Sequence, residues 1–120
     1  MIKDSPLTHC ISTYNNLPYL KIAIESVRKN SYYKFAPFII HAENCTDGTN
    51  EWLKQNGDKY GLDYYIDIHT DKPKGIGGGM NFCANLVKTE YINFLHSDFY
   101  VTEDWDLELL KIHEAHPNEE

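Results

Sequence analysis

The sequence predicts an α/β domain: a mostly parallel sheet of about four strands with helices on both faces. Three observations predict it. Short runs rich in β-branched and aromatic residues alternate with longer segments of helical spacing, which is the written form of βαβ units. The 120 residues suffice for one real core but are short for two ordinary domains. No internal repeat or low-complexity linker interrupts them, so residues 1–120 read as one domain.

The first strand is expected over residues 7–12, the second over 37–42, the third over 62–68 and the fourth over 91–95. The first helix has Asn16 at its cap, Pro18 in its first turn and Leu20, Ala23, Ile24 and Val27 on one face, ending near Asn30. The second begins in Thr46-Asp47-Gly48-Thr49, whose side-chain oxygens can accept orphan amide hydrogens, and Gly57 suits the position past its end. The third follows a glycine run and carries Met80, Cys83, Ala84 and Val87 at core spacing. The last, over about 104–114, carries Leu107 and Leu110.

Hydrophobic residues at 42% and charged ones at 24% describe an ordinary globular domain, not a disordered or fibrous chain. The longest apolar stretches, such as residues 35–40, fall far below the roughly 18 residues of a membrane span. Residues 1–4 lead into no apolar signal segment, so a cytoplasmic location is expected. Cys10, Cys45 and Cys83 are an odd number without a Cys-x-x-Cys pair, which argues for buried thiols over disulfides or structural zinc. The net charge of −7 is uneven: residues 1–102 carry ten basic and eleven acidic side chains, residues 103–120 one and seven. With Arg28 the single arginine and no basic stripe, nucleic-acid binding is excluded.

In an open parallel sheet ligands sit outside the carboxyl ends of the strands. Four polar or glycine-rich segments follow predicted strands: Ser12-Thr13-Tyr14-Asn15, Glu43 to Gly48, Lys72 to Gly79, and His96-Ser97-Asp98. The glycine run is not a dinucleotide fingerprint, because Met80 occupies the third glycine position and the run follows the third strand. Nor is there a Gly-Lys-Ser/Thr of a P-loop. These glycines either let backbone approach an anion ahead of a helix or form a flexible connection, and the pattern leaves both open. Asp98, at a polar tip after an apolar strand, can bridge a hard cation to a diphosphate, although such an aspartate more often caps a turn. His41, His69 and His96 fall at predicted strand ends, where they could gather a transition metal or stand as isolated rim histidines.

Ser12-Thr13-Tyr14-Asn15, Cys45-Thr46-Asp47-Gly48-Thr49, Gly75 to Asn81 and Glu90 to Asp98 occur in the order and spacing of the family 2 glycosyltransferases, and the sequence resembles them from about Thr8 to Leu110. The resemblance implies a Rossmann-like GT-A fold, a nucleotide-sugar donor such as a UDP-sugar, a divalent Mn2+ or Mg2+, and inverting transfer to a sugar or glycan acceptor. By position it implies nucleotide contacts at Ser12, Tyr14, Glu43, Lys74, Gly75, Asn81, His96 and Ser97, with Glu43 accepting the uracil N3 hydrogen, and metal ligands at Asp98 and His96. Three positions depart from the family pattern. Ala42 replaces the first acid of an Asp-Asp pair, His96 the first aspartate of Asp-x-Asp, and Met80 an arginine facing the phosphates, for which Lys72 and Lys74 lie near in sequence.

The family's acceptor pocket and catalytic base follow the Asp-x-Asp strand, and no catalytic base is assigned among these residues. The expectation is therefore the donor-binding half of a longer enzyme, with self-association through an apolar edge. The alternative is a noncatalytic module that keeps the fold and binds a partner.

Overall fold

The computed structural model describes residues 5–68, 75–96 and 101–115. Eight elements alternate: β1 (Leu7–Thr13), α1 (Leu17–Asn30), β2 (Phe38–Glu43), α2 (Thr49–Asn56), β3 (Leu62–Asp67), α3 (Gly75–Ala84), β4 (Tyr91–Leu95) and α4 (Trp105–Ala115). The strands form one parallel sheet in the order β3-β2-β1-β4. Each crossover is a helix, as parallel pairing requires, and the order steps outward from β1 on both sides.

Side-chain alternation sends successive residues of each strand to opposite faces. On one face Ile11, Phe38, Ile40, Ala42, Leu62 and Leu95 meet Leu20, Ala23, Ile24 and Val27 of α1 and Leu53 of α2 in the main core. Trp52, Tyr60 and Trp105 close its margins. The other face carries a smaller cluster, in which Cys10 and Ile39 pack against Cys83 and Phe82 of α3.

α4 is anchored by polar contacts. The buried Asp106 carboxylate accepts the backbone N–H groups of Tyr32 (2.7 Å) and Tyr33 (3.0 Å), and Trp105 Nε1–H donates to Ser31 Oγ at 2.8 Å. Those amides lie just past the end of α1, where the helix no longer supplies an acceptor, and the Asp106 carboxylate takes its place.

Arg28 ties the amino ends of β2 and β3 together. Its guanidinium donates to the carbonyls of Tyr60 (2.7 Å), Ala36 (2.7 Å) and Gly61 (3.1 Å) and lies over the Phe38 ring. Burial lowers its pKa to about 10, which leaves it charged at neutral pH.

Several boundaries differ from the sequence reading, each for a local reason. Glu43 is the last residue of β2 and not the first of a loop, because it stays in register with Asp67. Gly57 is right-handed (φ −54°), so it is not a left-handed helix stop. A Cβ there would lie 2.5 Å from the Tyr64 ring, and the left-handed residue is Gly61 at φ +65°. α3 starts at Gly75, so the glycine run lies inside the helix instead of preceding it as a flexible connection. No helix among the described residues is long and apolar enough to cross a membrane.

Candidate functional site

The carboxyl rim of the sheet is built by loops that hydrogen-bond to one another. Asn15 and Asn16 both take left-handed backbone after β1, a conformation that asparagine tolerates better than most residues. Asn16 occupies the cap position of α1 as expected, but its side chain makes no capping bond. The first N–H of α1, from Leu17, instead donates to Asp47 Oδ2 in the next loop at 2.9 Å. Asp47 Oδ1 accepts the Thr49 N–H (3.2 Å) and hydroxyl (2.5 Å), and Asn15 Oδ1 accepts the Thr46 N–H (2.7 Å). Burial pushes the Asp47 carboxyl up, yet these bonds together hold it below the ordinary carboxylate range. The conspicuous Ser-Thr-Tyr-Asn and Cys-Thr-Asp-Gly-Thr segments thus brace each other, and Tyr14 stands on them 64% exposed.

α3 lies close over β1 and β2 because Gly79 has no side chain. A Cβ at Gly79 would lie 2.0 Å from Ser12 Oγ and 2.9 Å from His41 Nδ1, so nothing larger than glycine fits. Gly75, at φ +69°, turns the chain into the helix, and its N–H donates to Glu43 Oε1 at 3.1 Å. A carboxylate there also suits the positive end of the helix dipole.

Under that helix start three side chains converge. His41 is wholly buried within β2, its ring 5.1 Å from that of Phe82, and its Nε2 lies 2.5 Å from Asp67 Oδ2. Glu43 and Asp67 are paired residues at the ends of β2 and β3, and donor atoms of His41, Glu43 and Asp67 all lie within 4.8 Å of one another. His41 Nδ1 has no partner among the described residues.

This trio was not anticipated as a unit. The signal was present in the alternation, since His41 and Glu43 are two apart and therefore share a face. The missing ingredient was register, which pairs Glu43 with Asp67.

The donor set of one nitrogen and two carboxylates suits a manganese-like ion by type. As folded, His41 and Asp67 are hydrogen-bonded to each other, with Glu43 beside them.

The expected site residues divide into three groups. Ser12, Glu43 and Gly75 come together at the carboxyl ends of β1 and β2, with the Ser12 side chain against Gly79. Tyr14, Asn81 and His96 are exposed, His96 immediately after β4. Lys74, Ser97 and Asp98 lie outside the described residues, as do Lys72 and His69. The strand order sets β2, which ends at Glu43, and β4 on either side of β1. Of the three strand-end histidines, His69 lies outside the described residues, and His41 and His96 stand on strands that are not neighbours. His41 is interior, two strands from β4, and among the described residues its ligand-type neighbours are Glu43 and Asp67.

A parallel sheet wound outward from its first strand, with its laced loops, Glu43 and a helix amino terminus on the carboxyl rim, defines a Rossmann-like α/β domain. The chain belongs to glycosyl transferase family 2, whose model matches residues 8–119. No curated protein matches the sequence.

Among solved structures the fold is similar to that of TarS from S. aureus, at TM-score 0.75 and 18% identity over 92% of this chain and 20% of that one. TarS 1–349 in complex with UDP-GlcNAc gives 0.74 and 17% over 92% and 32%. The mannosyltransferase PcManGT from Pyrobaculum calidifontis, in complex with GDP-Man and Mn2+, gives 0.73 and 14% over 88% and 31%. The chain therefore spans about a fifth to a third of these proteins, which share its GT-A fold.

Proposed function

We propose that these residues form the donor-binding half of an inverting glycosyltransferase that takes its sugar from a nucleoside diphosphate. The observation that carries this reading is the strand order, which brings the ends of β1, β2 and β4 together on one rim, with an exposed Tyr14 and an anchored Glu43 on it.

Cleavage between an anomeric carbon and a phosphate leaves a diphosphate whose growing charge must be stabilised by positioned electrostatics. Glu43 would accept a hydrogen from the nucleobase edge. Ser12, Tyr14 and Asn81 would line the base and ribose, and Lys74 with the backbone from Gly75 onward would face the phosphates. Asp98, with His96 and Ser97 beside it in sequence, would hold a divalent ion, which supplies charge neutralisation at the diphosphate when bound. The proton of the acceptor hydroxyl needs a base, and we place that base and the acceptor site in polypeptide outside these residues.

Calorimetry with UDP, GDP and TDP, with and without manganese, tests the reading. Binding in the low-millimolar range or tighter, weakened by Asp98→Ala only when metal is present, supports it. The absence of any nucleotide binding contradicts it.

A further inference from the structure

The sheet has two outer strands, and they differ in what guards them. β3 carries Asp63 and Asp67, charges of the kind that keep a strand edge from pairing with another chain. β4 reads Tyr91-Ile92-Asn93-Phe94-Leu95, with neither a charge nor a proline. Among the described residues no strand lies beyond it. An outer strand without such guards offers its backbone donors and acceptors to a further strand.

The ladder fixes which residues make that offer. The Tyr91 N–H donates to the Pro6 carbonyl on the β1 side at 3.0 Å. Backbone groups alternate in direction along a strand, so Asn93 and Leu95 also bond toward β1, while Ile92 and Phe94 turn their N–H and C=O groups to the outer edge. The side chains of these same two residues are exposed. Ile92 is in register with Thr8 and Phe94 with Cys10, and Cys10 packs under α3, so both side chains stand on the α3 face. α3 itself packs over β1 and β2, which leaves an apolar strip beside it.

We propose that β4 is a homodimer interface, in which β4 of a second copy pairs with it antiparallel about a two-fold axis at Asn93. That register sets Ile92 opposite the partner's Phe94, and Phe94 opposite the partner's Ile92. The outward N–H and C=O groups of both residues then close hydrogen bonds across the axis, while two β-branched–aromatic pairs cover each other on the α3 face. A shift of two residues either way sets Phe94 against the partner's Glu90 or Ile92 against the partner's His96, both exposed polar residues, and gives up the mixed pairs. Such a contact is isologous and closes at two copies, giving one eight-stranded sheet with its two carboxyl rims at opposite ends. Strands this short bury less than the roughly 1,600 Å² of a standard interface, so the dimer is weak and depends on concentration. The proposal is independent of the donor-site reading.

Sedimentation equilibrium at rising concentration tests it, and the mass should climb from 14.0 kDa toward twice that value. Ile92→Lys and Phe94→Lys each remove both mixed pairs of the dimer and should weaken association about tenfold or more. Phe35→Lys, at a still more exposed ring away from β4, should leave association unchanged. In the unmodified chain the Ile92 and Phe94 amides should exchange with solvent about tenfold more slowly once about nine-tenths of it is dimeric. A mass that stays at one chain overturns the proposal and leaves this edge to polypeptide outside these residues. Association equally sensitive to Phe35→Lys overturns it as indiscriminate apolar contact, and so does a dimer whose Ile92 and Phe94 amides exchange as fast as in the monomer. Should the lysine variants not fold, amide exchange in the unmodified chain still decides.

Discussion

The two faces of the sheet are built to different ends. The face under α1 and α2 is packed almost wholly with aliphatic and aromatic side chains, from Ile11 and Phe38 to Leu53. The face under α3 holds a small apolar cluster of Cys10, Ile39 and Cys83, and beyond it Ser12, His41, Glu43 and Asp67. Even its thiols are polarised: a hydrogen bond between Cys10 and Cys83 pushes the Cys10 pKa up and the Cys83 pKa down. The first face supplies folding energy by area removed from water. The second accepts polar groups near its rim, because a glycine lets the covering helix come close and each charge has a fixed partner.

The largest effects should separate these roles. Leu53→Ala, at a fully buried position of the main core, should cost about 3 kcal/mol in urea unfolding. It should leave nucleotide affinity unchanged wherever the chain remains folded.

Acid should act through the same face. His9 is buried against Phe38 and Trp105, with Nδ1 3.2 Å from the Asn93 side-chain amide. Burial, aided by Arg28 and opposed by Asp106, lowers its pKa from 6.5 to about 4. Between those values the unfolded chain binds more protons than the folded one, so stability is full above about pH 6.5 and falls as the pH drops toward 4. The loss attributable to His9 is on the order of 3 kcal/mol, and His9→Phe should flatten that part of the pH profile.

Gly79→Ala tests the α3 face. The added methyl meets Ser12 and His41, which should cost about 2 kcal/mol and also weaken nucleotide binding, since Gly75 and Glu43 would be displaced with the helix. Asp47→Ala removes the acceptor for Leu17 and Thr49 and should cost about 1 kcal/mol. Gly77→Ala, where a Cβ meets nothing within 4 Å, should be neutral or stabilising by about 0.5 kcal/mol. If Gly77→Ala proved as damaging as Gly79→Ala, close packing would not be what the glycine run provides.

Much of the architecture was legible because it is periodic. The four strands were placed within a residue or so, and α1 was read from Leu20, Ala23, Ile24 and Val27, all of which are buried. What escaped depends on contacts between segments distant in sequence. Asp47 was recognised as a helix-start residue, but that it also serves α1 required the two loops to meet. Gly79 resembles its neighbours in sequence and differs only in what lies beneath it. His41 was assigned to a strand end because β2 was read one residue short, and the trio with Glu43 and Asp67 needed the register of β3 against β2.

Ile92 and Phe94 of β4, an outer strand of the sheet, are 40% and 50% exposed.

The central claim is that the carboxyl rim, and not another surface, receives the nucleotide. A rival cleft of about 410 Å³ lies at the opposite end of the sheet, lined by Arg28, Lys34, Phe35, Asp58, Lys59, Tyr60 and Gly61. Backbone amide NMR shifts on titration with a nucleoside diphosphate distinguish the two. The account predicts shifts at Tyr14, Glu43, Asn44 and Gly75, with Lys34 and Tyr60 unmoved. Shifts confined to Lys34, Lys59 and Tyr60 would contradict it.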